Sequence, residues 1–123
     1  MNYLGIDYGT KRVGLATAVS GVISPLAVIP NDQHLLAEIN KIVSQHQIHK
    51  IYVGMSEGGF ADITKQFVDQ LKKVIKLPVE TVNEAVSTIE AQQIYRANGG
   101  KLKKYRNKID AVSAAVILNR LSV

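Results

Sequence analysis

Three strand-like segments follow one another near the start of the chain with no room between them for a crossover, and this order limits the folds open to it. Tyr3 to Asp7 is short and apolar and ends in a carboxylate, with Gly9 placed where the chain must turn tightly. Val13, Leu15, Thr17 and Val19 alternate with Gly14, Ala16 and Ala18, the period of two of a strand with one bulky face. After the turn signal Ser20-Gly21, Val22 to Ile29 forms a third apolar run, in which Pro25 predicts a bulge or an edge position. A parallel return needs a crossover of about a dozen residues or more, so these strands are expected to form an antiparallel meander.

The pattern then changes period. Leu35, Leu36, Ile39, Ile42 and Val43 recur at helical spacing, and Lys50 to Gly54 is a short strand of the buried type. A loop over Met55 to Gly59 leads to a second helix, expected to carry Ile63, Phe67, Leu71 and Val74 on its inner side. Pro78 restarts extended chain, and Val79 to Val82 is a fifth strand. Ser87 to Glu90 resembles a capping box opening a third helix, which Gly99-Gly100 ends, and Ile109, Val112, Val116 and Leu121 mark a final helix. The expected fold is therefore α/β: a five-stranded mixed sheet, three strands antiparallel and then two reached by right-handed helical crossovers, flanked by helices. At 123 residues there is enough chain for one core and too little for two, so residues 1–123 are read as a single domain.

Fold alone does not give function, and the site must be argued from its residues. Asp7 ends strand one, Glu84 lies just past strand five, and Asp110 lies in the final helix with Ser113 and Ala114 at the next positions on its stripe. Small neighbours allow that helix to approach a sheet closely. If the stripe faces the carboxyl ends of the strands, the three carboxylates form an oxygen-rich cluster suited to Mg²⁺ or Mn²⁺. Two such ions about 3.5–4 Å apart can hold a phosphodiester and stabilise an in-line displacement without a nucleophilic Ser, Cys or His. Read individually, the same residues also fit a turn cap, an exposed loop carboxylate and a helix decoration. His46 and His49 have metal-ligand spacing, but their surroundings fit a helix end better.

Charge bears on the substrate. The chain carries 15 Lys+Arg against 10 Asp+Glu, a net charge of +5 and a pI near 9.5, which favours polyanions, although the same surplus also serves solubility. Its distribution is more informative. Lys11 and Arg12 follow the Asp7 turn, and Lys101, Lys103, Lys104, Arg106 and Lys108 lead into the Asp110 helix, so both groups flank the expected site as phosphate contacts, with Tyr105 able to stack on a base. Lys72, Lys73 and Lys76 read as solvated surface. No apolar run approaches the roughly 18 residues of a membrane span and no signal core opens the chain. With no cysteine there is no disulfide or thiolate site, and a cytoplasmic location is expected.

LGIDYGTKRVGLA, Leu4 to Ala16, closely resembles the opening motif of the YqgF family, whose members are described as Holliday junction resolvases and as pre-16S rRNA nucleases. The resemblance continues through IYVGM, NEAVSTIEA and KIDAVSAAVILNRL, and so spans essentially the whole chain. It implies an RNase H-like fold and a metal-dependent nuclease, with Asp7, Glu84 and Asp110 on the acidic positions, two ions when substrate is bound, and structured RNA or branched DNA as substrate. Where the family has Asp-Glu-Arg, this chain has Asn83-Glu84-Ala85. One carboxylate becomes an amide, leaving Asn83 as a weaker accessory ligand, and one bidentate phosphate donor is lost. The segment Met55 to Phe60 also departs from the family's proline-containing loop.

Three further readings compete. A nucleic-acid-binding module on the same fold, without turnover, is favoured by the altered NEA motif. A sugar kinase or actin-like ATPase shares an Asp-Tyr-Gly-Thr type of phosphate-binding turn, but needs two such domains to close over a nucleotide. A purely structural role is the third reading. The apolar residues can all be assigned to one core, so a monomer or weak homodimer is expected.

Overall fold

The computed structural model describes residues 1–54, 61–82 and 114–119. Strands β1 (Tyr3–Tyr8), β2 (Arg12–Val19) and β3 (Val22–Pro30) form the meander, antiparallel throughout. The hairpin between β2 and β3 closes on Ser20 and Gly21, both at positive φ (52° and 81°), the backbone whose twist matches that of the flanking strands. Both readings of Pro25 hold: β3 is an edge strand, and its register against β2 shifts between Leu15 and Ala16, which pair with Ala27 and Pro25.

Helix α1 (Leu35–Gln45) turns its Leu35, Ile39 and Ile42 inward and returns the chain to β4 (Lys50–Gly54), which pairs parallel with β1. Asp32 prepares its start, its Oδ1 accepting the His34 N–H at 2.8 Å. Gln47 at positive φ ends it, with the Ile48 N–H donating to the Val43 carbonyl and the Ile48 side chain buried, as in a Schellman closure. Helix α2 (Ala61–Val74) leads to β5 (Val79–Val82), parallel to β4, and the sheet order is β3-β2-β1-β4-β5. Residues 114–119 are helical.

The inner face of α2 differs from the expected one. Phe67 and Leu71 are buried, but Ile63 and Val74 are 42% and 51% exposed, and Thr64, Val68 and Ile75 are buried instead. The helix is rotated by about one residue. Thr64, Val68, Leu71 and Ile75 form a continuous i, i+4, i+7, i+11 stripe, so that Val68 and Ile75 take the buried places expected of Val74 and Ile63.

Cores lie on both sides of the sheet. Leu4, Ile6, Val13, Leu15, Ile51 and Val53 pack against α1 and α2. Ala16, Ala18 and Tyr52 pack on the opposite face against Ala114, Ala115, Ile117 and Leu118. The small face of β2 is thus as buried as its bulky one, because a helix lies close upon it. A Cβ on Gly5 would stand 2.8 Å from the Ala114 carbonyl oxygen, and one on Gly54 would overlap Ile117 Cδ1.

Candidate nucleic-acid and metal site

Alternation along β1 puts Leu4, Ile6 and Tyr8 toward α1 and α2, and Tyr3, Gly5 and Asp7 on the face that carries helix 114–119. Asp7 is half-buried near the carboxyl end of the central strand. Its partners in the ladder are Gly14 of β2 and Gly54 of β4, and Gly54 in turn pairs with Val82 of β5. One row across the sheet therefore reads Gly14, Asp7, Gly54, Val82, with no side chain on either immediate neighbour of the carboxylate. The parallel strands β4 and β5 end at this row and β1 one residue beyond it, the end at which open α/β sheets bind ligands.

The turn from β1 to β2 lies beside that end. Gly9, Thr10, Lys11 and Arg12 line an open hollow of about 230 Å³, and Thr10, Lys11 and Arg12 are exposed. The turn is held from across the sheet: Asn31, directly after β3, donates its side-chain amide to the Gly9 carbonyl at 2.7 Å and its backbone N–H to the Lys11 carbonyl at 3.0 Å. From the other face, Tyr8 stacks on Phe67 with ring centroids 4.2 Å apart and an interplanar angle of 16°, fixing the end of β1 to α2.

The opposite end of the sheet serves a different purpose. Lys50 pairs with Glu80 at 2.8 Å and lies 4.9 Å from the Tyr52 ring centroid, and these contacts, the Glu80 hydrogen bond foremost, raise the lysine above its ordinary pKa. His49 accepts the Asn2 N–H on Nδ1, while the Asn2 side chain donates to the His46 and Gln47 carbonyls. The histidines thus belong to the closure of α1, as their surroundings suggested. Among the described residues no group of three or more His, Cys, Asp or Glu comes together. Of the expected site residues, the structure describes Asp7, near the carboxyl end of β1, and Lys11 and Arg12, which line the hollow of the turn that follows it. Asn83, Glu84, Asp110, Lys101, Lys103, Lys104 and Arg106 lie outside the described residues, as do the third helix, the start of the final one and the Met55 to Phe60 loop. Two features beside Asp7 escape a reading of the chain alone: the glycine on each side of it, and Asn31.

A model of the RuvX family, described as Holliday junction resolvase, matches residues 1–121. The chain belongs to this family. RuvX relatives named "Putative pre-16S rRNA nuclease" include one from Anaeromyxobacter sp., 34% identical over 96% of this chain and 93% of its own, and one from Chloroflexus aggregans, 31% identical over 94% and 88%. Among solved structures, Thermus thermophilus RuvC superposes with a TM-score of 0.69 at 16% identity, covering 98% of this chain and 96% of its own. The fowlpox virus resolvase bound to Holliday junction DNA superposes with a TM-score of 0.62 at 14% identity, covering 99% and 97%. Both share the RNase H-like fold with this RuvX chain.

Proposed function

We propose that this RuvX-family chain is a divalent-metal-dependent nuclease that hydrolyses phosphodiester bonds in structured nucleic acid, with Asp7 as its central metal-binding carboxylate. The observation that carries the reading is the position of Asp7: on the middle strand, between two glycines, at the carboxyl ends of β1, β4 and β5 and beside a cationic turn. The names of the family and of its relatives agree with it.

A carboxylate near the carboxyl end of the central strand suits a hard cation, which prefers oxygen donors. Asp7 alone does not make a cage. The further ligands we assign are Glu84, two residues beyond Val82 in the row of Asp7, and Asp110, four residues before Ala114, which lies against Gly5. Asn83 is an accessory, weaker oxygen donor. Mg²⁺ or Mn²⁺, two ions when substrate is present, supply Lewis-acid stabilisation of the charge that develops on the phosphate. Lys11 and Arg12 hold the phosphodiester at the turn, and Lys101, Lys103, Lys104 and Arg106 extend the grip along the strand. Water adds to phosphorus in line with the departing ester oxygen, which takes up a proton as it leaves. We assign the protein to the cytoplasm, as a monomer or weak homodimer. No helix among the described residues is long and apolar enough to cross a membrane.

The test is cleavage of end-labelled four-way DNA junctions and of a pre-16S RNA carrying its 5′ extension, each with Mg²⁺, Mn²⁺ or EDTA. Metal-dependent products are expected, and the substrate cut with the higher kcat/KM gives the physiological class. The Asn83-Glu84-Ala85 departure favours a second reading, a binding module. Tight binding of both substrates with no cut in either would establish that one instead.

A further inference from the structure

We infer that Asn31 is a positioning residue of the nuclease: it sets the β1–β2 turn, and with it the phosphate held there, relative to Asp7. The inference rests on the nuclease reading above. The β1–β2 ladder closes with the Tyr8 and Val13 pair, so the carbonyls of the turn between them take their partners from outside it, water or another segment. Asn31 supplies two. Its side-chain amide reaches Gly9 at 2.7 Å and its backbone N–H reaches Lys11 at 3.0 Å. A carbonyl oxygen can only accept, so the NH₂ end of the Asn31 side chain must face Gly9.

The location gives the contact its consequence. Gly9 is two residues past Asp7, and Lys11 and Arg12 are the cations of the turn. Asn31 reaches it because β3 runs to Pro30, which pairs with Arg12, and the next residue comes level with Lys11. It is half-buried, whereas Thr10, Lys11 and Arg12 are exposed, so the clamp is anchored behind a turn whose front is open to a ligand. A loosened turn still lets long Lys and Arg side chains follow a phosphate, so affinity changes little. The geometry between that phosphate and Asp7 is lost, and misplacement by about 1 Å can cost as much as 10²-fold in rate.

Asn2 provides a matched control. It makes the same kind of side-chain clamp, onto the His46 and Gln47 carbonyls, at the far end of β1. Steady-state cleavage, thermal unfolding and amide hydrogen exchange of the Thr10 to Arg12 segment would be measured for the parent, Asn31→Ala, Asn31→Ser and Asn2→Ala. In the Asn31 variants we expect kcat to fall about 10-fold or more with KM within about twofold, and exchange in the turn to accelerate. Asn2→Ala should lower the melting temperature at least as much yet keep the parent kcat and the parent exchange in the turn. Parental kcat in both Asn31 variants, unchanged exchange there, or an equal kcat loss in Asn2→Ala would overturn the inference. A parent that binds nucleic acid and never cuts would overturn the nuclease reading itself, and the positioning role with it, whatever the exchange shows of the clamp.

Discussion

Asp7 has glycine on both sides in the sheet, and the space over Gly54 is taken by the Ile117 side chain of helix 114–119. The carboxylate and the cations of the turn are close in sequence, which is why Asp7, Lys11 and Arg12 could be picked out from the chain alone. Asn31 could not: its partner Gly9 is 22 residues away, and only the register of β3 brings them together. Lys11→Ala is expected to weaken binding of every nucleic acid by a similar factor and to reduce the slope of log K against log[salt] by about 0.7–0.9, the share of one phosphate contact. Equilibrium titrations at several salt concentrations give that slope. A slope equal to the parent's would remove Lys11 from the interface.

The strands were legible because each carries its own short-range signal: alternation in β2, a proline beside the bulge in β3, and compact apolar runs in β4 and β5. The inner side of α2 was not, because Phe67 and Leu71 fit two stripes about equally well. Only the sheet beneath shows that Val68 and Ile75 are buried while Ile63 and Val74 remain exposed. The close approach of helix 114–119 to the sheet was half legible. Ala114 announced a small helix surface, but the matching absence of side chains at Gly5 and Gly54 needed the pairing of β1 with β4. Gly5→Ala drives a Cβ onto the Ala114 backbone and Leu118 Cγ, and is expected to cost about 2–3 kcal/mol, at the upper end for overpacking. Gly54→Ala meets the terminal methyl of Ile117, which can swing aside, so its cost should be smaller, about 1 kcal/mol. Urea unfolding of the two variants would check this. If Gly54→Ala proved the more damaging, the helix would not sit on β1 as described.

At the scale of the whole molecule, two helices cover one face of the sheet and a third helical segment covers the other, while β1, β4 and β5 bring their carboxyl ends to a single edge. The arrangement leaves Asp7 and the cationic turn at that edge and assigns the remaining polar clamps, Asn2 with His46 to His49 and Lys50 with Glu80, to the opposite end as supports. The surplus of basic residues fits a polyanionic substrate drawn toward the open edge. The fold was read from the order of strands and crossovers, and membership of the family from motifs spread along the chain. On the proposed reading, Asp7 is the central metal-binding carboxylate. The most direct test is single-turnover cleavage by the parent and Asp7→Asn in Mn²⁺, with nucleic-acid affinity and thermal stability measured alongside. Loss of metal-dependent cleavage by about 10²-fold or more, with folding and most of the binding retained, is the expected result. Cleavage by Asp7→Asn at the parental rate would contradict the site.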